Sequence, residues 1–398
     1  MLVGIVGKAN VGKSTFLKAL SLKDIEIANY PFTTIEPNEA VGYVTVECPC
    51  KRLGVKCNPQ NSKCIDGIRC IPVKMLDVAG LVPGAHLGKG RGIDFLDDLR
   101  QADALIQVVD ASGSTNENGE PVERGSYDPI KDIEFVPTEI DEWYFKILNE
   151  HWDKFVRQVQ HLGKELYKEI AKQFSGLKIN EDIVRECITE LDLDPENPIK
   201  WSSDDLKRFS KKLREKSKKI IIAANKADLP TSEENIKRMK ERFPDYIIIP
   251  CSAESELALK EAEAHGLIRY IPGSNDFEII SDNLNEKQKQ ALEFIKENVL
   301  KKYGSTGIQE CLNKTVFGLL KMIVVYPVAN INKLSDTKGN VLPDAYLVPQ
   351  GTTLKEFAAK IHSDMAEKFI GGLNLEKKKI GADYELKDGD VVEILFKK

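Results

Sequence analysis

The chain has 398 residues, enough for two to three domains of roughly 150 residues each. With 42% apolar and 30% charged residues it has the composition of a folded globular protein, not a disordered one. Its 57 basic and 62 acidic residues leave a net charge of −5, which excludes a globally basic nucleic-acid binder while allowing a local basic face.

In chain order, residues 2–6 form an apolar, β-rich run, followed by a glycine loop (7–15) and a helical pattern (16–20). Residues 40–46 alternate like a strand. A stretch rich in Cys, Gly, Pro and Asn (47–71) reads as an irregular insertion, and 72–77 as a further strand. A Gly-rich loop (80–92) precedes a helical pattern (95–100) and a buried strand (104–110). The alternation then stops. A polar connection reaches about Pro137, and the apolar residues Phe145, Leu148, Trp152, Phe155, Val156, Val159 and Leu162 recur at helical spacing. Strands return at 219–224 and 246–250, helices are expected from 257 to about 320, and a small β/α section closes the chain. No run reaches the roughly 20 apolar residues of a membrane span. Met1 leads into a strand without a basic segment, so no signal peptide, no membrane contact and a cytosolic location are expected.

Gly7, Gly12, Lys13 and Ser14 satisfy G-x-x-x-x-G-K-[ST], placed between a strand and a helix. Glycines there let successive backbone N–H groups surround phosphate oxygens at a helix N-terminus. The expected phosphate-binding residues are Gly7, Lys8, Ala9, Asn10, Val11, Gly12, Lys13, Ser14 and Thr15, with Gly80 beyond the strand 72–77. After the strand 219–224 stand Asn225, Lys226 and Asp228. A carboxylate at Asp228 can accept from N1–H and the 2-amino group of guanine, a donor pair that adenine lacks. Asn225 suits N7/O6, the Lys226 stem the ring, and Ser252, Ala253 and Glu254 the loop that adds a backbone N–H to guanine O6. Ser14, Thr34 and Asp77 are the expected Mg2+ ligands. Lys13, Thr34, Asp77 and Gly80 are the expected catalytic set, since phosphoryl transfer needs positioned charge more than covalent chemistry.

Residues 29–38 (NYPFTTIEPN) and 77–85 (DVAGLVPGA) resemble the Obg/YchF branch of translation-factor-class GTPases, as do the chain length and the helical insertion before the guanine motif. The resemblance covers nearly the whole chain. It implies an α/β P-loop GTPase fold with a mostly parallel sheet, an α-helical insertion and a C-terminal β-grasp domain. That last section, with 341–353 and 386–392, resembles a TGS domain. The expected boundaries are 1–112 and 218–275 for the GTP-binding domain, including the Cys-rich insertion 47–71. The helical insertion spans 113–217, a helical connection 276–320, and the TGS-like domain 321–398. The bacterial YchF branch carries Asn-x-x-Glu and prefers ATP, whereas Asp228 keeps the guanine signature, so GTP is the expected substrate and ATP the alternative. Leu81 stands where many GTPases place a water-orienting Gln, so turnover should be slow. A nucleotide-stabilised RNA-binding scaffold with negligible turnover is the other alternative. Asn10 occupies the position at which similar GTPases coordinate K+, or it merely braces the loop. His86 and Lys89 are candidate contacts to nucleotide or partner.

Cys48, Cys50, Cys57, Cys64 and Cys70 are spaced C-x-C-x6-C-x6-C-x5-C. Four thiolates suit tetrahedral Zn2+, but paired C-x2-C knuckles are missing, so zinc, disulfides and free thiols all stay open. Cys187, Cys251 and Cys311 read as buried packing. Lys207, Arg208, Lys211, Lys212, Arg214, Lys216, Lys218 and Lys219 form a basic run that suits RNA phosphates or simply a solvated helix face. With the family likeness added, the ribosome or structured RNA is the expected partner besides GTP and GDP, and the protein is expected to be a monomer.

Overall fold

The computed structural model describes residues 1–21, 38–78, 84 and 98–397. Its strands are β1 (Leu2–Val6), β2 (Glu39–Glu47), β3 (Lys63–Ile65), β4 (Ile68–Asp77), β5 (Ala104–Asp110), β6 (Lys219–Asn225) and β7 (Ile248–Pro250). A short hairpin of β8 (Ile268–Arg269) and β9 (Glu278–Ile279) follows. The chain closes with β10 (Met322–Val328), β11 (Tyr346–Pro349), β12 (Phe369–Leu373), β13 (Lys379–Ile380) and β14 (Asp390–Phe396). Among the described residues, contacts group 1–19, 38–40 and those between 74 and 311 into one unit, and 20–21, 41–73 and 312–397 into a second.

In the first unit the end of β4, then β1, β5, β6 and β7 lie side by side and all parallel. β1 and β5 are buried at every residue, and β6 at all but its first, which is why they read as unbroken apolar runs. A parallel sheet puts all strand C-termini on one edge, so the segments leaving Val6, Asp77, Asp110, Asn225 and Pro250 converge there. The helices Ile130–Asn149, Trp152–His161, Leu166–Gln173, Glu181–Glu190 and Ser203–Ser217 supply the insertion. Ile133, Ile140, Tyr144, Phe174 and Phe209 share one continuous core with Val6, Leu105, Val109, Ile222 and Ala224, so insertion and sheet are packed together.

Several boundaries differ from the sequence reading. Pro137, expected to end a connection, lies inside the helix Ile130–Asn149. Its missing N–H costs a hydrogen bond, which burial of Ile133, Val136, Ile140, Trp143, Tyr144 and Leu148 along that helix offsets. The 276–320 connection is not purely helical, since β9 pairs with β8 before the helix Glu286–Ile295 begins. The Cys-rich stretch is not irregular: it contains the helix Pro49–Leu53 and the antiparallel hairpin β3–β4. Asp66 (φ 47°) and Gly67 (φ 82°) form its two-residue turn, the positive-φ pair that a hairpin's twist demands and that Asp-Gly adopts readily.

In the second unit, residues 41–73, read from sequence as part of the nucleotide domain, group with 312–397. The C-terminal sheet has the order β11-β10-β14-β12-β13, with β10 and β14 parallel and its other pairs antiparallel. The helix Leu354–Ile361, capped by Thr353 and Glu356, packs Leu354 and Phe357 onto Val325, Val348 and Val392. This is a β-grasp arrangement. No helix among the described residues is long and apolar enough to cross a membrane.

Candidate nucleotide site

The glycine loop leaves β1 at the convergent sheet edge. Gly7 has φ 146°, and a Cβ there would lie 2.5 Å from the Val108 carbonyl oxygen; Gly12 has φ 97°, and its Cβ would meet Asn225 Nδ2 at 2.4 Å. Both positions therefore require glycine. Asn10 adopts φ 61° between them. The helix Lys13–Leu20 follows directly and buries Phe16, Ala19 and Leu20.

Two loop side chains have structural partners. Lys8, expected at the phosphates, is 3% exposed; its ammonium donates to the Thr115 carbonyl at 2.8 Å, lies 2.7 Å from Asp132 Oδ2, and sits 3.9 Å over the Tyr127 ring. Its side chain is thus committed elsewhere, and its backbone amide is what it has for a phosphate. Asn10 Nδ2 donates to the Gly119 carbonyl at 2.8 Å, leaving the amide oxygen as the atom that can serve a cation. Gly119 (φ 80°) approaches so closely that a Cβ would lie 2.7 Å from both Ala9 Cβ and Ala9 O. The segment 113–125 is therefore seated on the phosphate loop.

Lys13 Nζ donates to the Lys8 carbonyl at 2.7 Å. Burial pushes the Lys13 ammonium down, against the attraction of Asp77. Burial likewise pushes the Asp77 carboxyl up, against the attraction of Lys13. Asp77 ends β4 with its N–H on the Asn38 carbonyl at 2.9 Å. A cation and an anion held partly dry at a helix N-terminus suit a ligand that brings both signs, a phosphate chain with its metal. Thr34, Gly80, Leu81, His86 and Lys89 lie outside the described residues.

At the base end, Asn225 is 3% exposed and ties three segments together. Its Nδ2 donates to the Val11 carbonyl at 2.9 Å, and its Oδ1 accepts from the Ala253 N–H at 3.1 Å. Lys226 (φ 62°) forms an ion pair with Asp110 Oδ2 at 2.8 Å. Asp228 Oδ1 accepts from Ser252 Oγ at 2.7 Å, while the Ser252 side chain also caps the helix Ala253–Ala264. Glu254 lies exposed in the first turn of that helix. Asparagine, aspartate, serine and phosphate loop thus form one connected hydrogen-bonded set.

Asp110 was not singled out from sequence. It accepts from Ser112 N–H (3.0 Å) and Oγ (2.5 Å), Ser114 Oγ (2.8 Å) and Thr115 Oγ1 (3.0 Å) besides Lys226. Burial pushes its carboxyl up, but Lys226 and the hydroxyls prevail and hold it below the ordinary carboxylate range. The hydroxyl run Ser112, Ser114, Thr115 after a strand-ending Asp was the available signal.

Of the five clustered cysteines, Cys48, Cys50, Cys57 and Cys64 come together, all four sulfurs within 4.8 Å of one another. Cys70 does not join them: it is buried on β4 beside Tyr43. No cysteine is disulfide-bonded, and Cys187, Cys251 and Cys311 are buried. Four of the eight residues of the basic run meet carboxylates. Arg214 is buried against Asp141 (2.7 Å), Lys216 meets Glu186 (2.8 Å) and Glu190 (2.6 Å), Lys212 meets Glu190 (2.7 Å), and Arg208 meets Asp205 (3.6 Å). Lys218 is 1% exposed and donates to the carbonyls of Arg100 and Ala102.

The parallel sheet, the glycine loop at its edge and the Asn225–Asp228 turn define a P-loop GTPase. Residues 2–137 match the 50S ribosome-binding GTPase family, residues 223–330 the Obg-like GTPase YGR210-like, G4 motif-containing domain, and residues 338–396 the TGS domain. A Methanocaldococcus jannaschii protein described as an uncharacterised GTP-binding protein is 56% identical over 99% of this chain and 98% of its own length. The Bacillus subtilis ribosome-binding ATPase YchF is 29% identical over 99% of this chain and 98% of its own. A crystal structure of a GTP binding protein from Pyrococcus horikoshii matches with a TM-score of 0.78 and 42% identity, covering 100% of both chains. The chain belongs to the Obg-like, YchF-related family of P-loop GTPases.

Proposed function

We propose that this protein binds GTP with Mg2+ and hydrolyses it slowly to GDP and phosphate, as a switch that acts on the ribosome or structured RNA. The observation that carries the choice of guanine is Asp228, held by Ser252 beside Asn225 at the sheet edge that also bears the phosphate loop. A carboxylate poised there pairs with the N1–H and 2-amino group of guanine. With adenine the pocket would leave it unmatched, and an unpaired polar group in a site discriminates strongly. Backbone N–H groups of 7–15 would cradle the phosphates, and Lys13 would swing from the Lys8 carbonyl to the outer ones. Ser14 and Asp77, with Thr34, would hold Mg2+, which supplies charge neutralisation to the phosphate oxygens.

ATP is the second reading, favoured because a relative spanning the same length is named an ATPase. Calorimetry with Mg2+ separates the two. GTP and GDP should bind at least tenfold more tightly than ATP and ADP, and Asp228→Ala should abolish that preference. Equal affinity for ATP in the unmodified protein would overturn the choice of base. Ribosome binding is drawn from the family match of residues 2–137, and nucleotide-dependent co-sedimentation with ribosomes tests it.

Leu81 cannot hydrogen-bond water, so intrinsic turnover should be slow. We propose that K+ at the Asn10 amide oxygen contributes the missing positive charge. Single-turnover hydrolysis should then be faster in KCl than in NaCl at equal ionic strength; equal rates would refute it. Turnover absent in every salt, with and without ribosomes, would favour a nucleotide-stabilised scaffold instead.

A further inference from the structure

The four sulfurs of Cys48, Cys50, Cys57 and Cys64 come from three separate places: the start of the helix Pro49–Leu53, the loop after it, and β3. Cys48 and Cys57 sulfurs are 4.0 Å apart, and those of Cys50 and Cys64 3.9 Å. A disulfide needs about 2.05 Å. A tetrahedral ion with Zn–S bonds of about 2.3 Å places its sulfurs about 3.8 Å apart. The spacing is that of a tetrathiolate cage.

The surroundings fit an anionic centre. Four thiolates around a divalent ion carry a net charge of −2. Arg69, on β4 in the same hairpin, is 0% exposed, and no carboxylate lies within ion-pair distance of it among the described residues. Its NH1 donates to Ser62 Oγ at 3.1 Å, its NH2 to the Leu342 carbonyl at 2.9 Å, and its Nε is buried without a partner. A fully buried guanidinium is costly, and Asp344, which acts on it from beyond ion-pair distance, is no direct counter-ion. The thiolate cluster beside it supplies one.

The loop that the cage would fasten has its own partners in the C-terminal domain. Asn58 N–H donates to the Val341 carbonyl at 2.8 Å and Gln60 N–H to the Pro343 carbonyl at 2.6 Å. The Asn61 side chain exchanges two hydrogen bonds with the Ala345 backbone, at 3.1 and 2.9 Å. This loop has almost no apolar residue to hold it in place.

We propose that Cys48, Cys50, Cys57 and Cys64 bind a structural Zn2+ ion, and that this ion holds residues 54–62 in the shape that pairs with 341–345 of the TGS domain. All four positions are taken by protein sulfur, so the site is closed and structural in kind. Binding releases the thiol protons to solvent and changes no oxidation state.

The test uses the full chain, purified without chelator and then exposed to Zn2+ and dialysed. Elemental analysis should give close to one zinc per chain, retained in Cys70→Ser and lost in Cys57→Ser. Co2+ in its place should give the visible bands and sulfur charge-transfer absorption of a tetrahedral tetrathiolate. Because Cys57→Ser alone could disturb folding, hydrogen exchange on the unmodified chain provides the second readout. Stripping the metal should speed exchange of the Asn58 and Gln60 amides at least tenfold while the strand amides of β1 and β5 stay protected. Less than a tenth of a zinc per chain after reconstitution, disulfides among these cysteines in freshly purified protein, tight zinc retained by Cys57→Ser, or unchanged exchange at Asn58 and Gln60 would each overturn the proposal.

Discussion

Lys218 shows how one residue can change meaning between sequence and structure. In the sequence it belongs to a basic run; in the fold it is buried under the insertion, its ammonium on two backbone carbonyls. Burial, helped by the nearby Lys178, brings its pKa down to about 8, whereas in the unfolded chain it titrates near 10.4. Below pH 8 the group is charged in both states, and the cost of burying that charge, roughly 3 kcal/mol, is fully present. Between about pH 8 and 10 the unfolded state binds more protons than the folded one, so stability rises with pH. Chemical denaturation across that window should show a rising midpoint in the natural protein and a flatter one in Lys218→Met. An unchanged slope in the variant would assign the effect to other groups. Lys8 and Arg214 are also buried basic residues, each held by a carboxylate. Their partners Asp132 and Asp141 lie far away in sequence, so neither ion pair was legible from local pattern.

At the scale of elements, the strands of the parallel sheet were legible because burial on both faces writes continuous apolar runs, and the glycine loop because its spacing serves one geometry. What escaped was whatever depends on a neighbour from elsewhere in the chain. The segment 113–125 looked like a polar connection, yet it presses Gly119 against Ala9 and accepts from Asn10. Gly119→Ala should therefore combine positive-φ strain with a clash, together about 1–3 kcal/mol, and displace the phosphate loop. GDP affinity measured by calorimetry should fall about tenfold. Gly54→Ala, at φ 63° but facing open space, should cost stability without touching affinity. Equal affinities in both variants would mean that the 113–125 segment does not position the loop. The β3–β4 turn is a different sort of miss: Asp66-Gly67 between Ile65 and Ile68 is a hairpin signal that the surrounding cysteines, glycines and prolines obscured.

At the scale of the whole molecule, the motifs and their order identified the class of fold and the family, but not how the chain is shared between its two units. Linear reading assigns a segment to the domain on either side of it. Residues 41–73 instead group with 312–397, through backbone pairs such as Asn58 with Val341 that no composition shift announces. Within the candidate nucleotide set, the phosphate loop and the Asn225–Asp228 turn were legible because each is contiguous, whereas the contacts that tie Asn225 to Val11 and Ala253 were not. The cysteine cage was legible only as a cluster, because which four of the five sulfurs meet depends on the hairpin that carries Cys70 away from the others.

That shared arrangement sets a schedule during synthesis. Cys64 leaves the ribosome roughly 280 residues ahead of Val341, a wait of about 15 to 55 seconds at ordinary elongation rates of about 5–20 residues per second. Throughout that interval residues 54–62 lack their hydrogen-bond partners at 341–345, although β4 already has β1 and β2 beside it. Early capture of an ion would let this stretch mature ahead of time and keep a finished docking edge ready for the TGS domain.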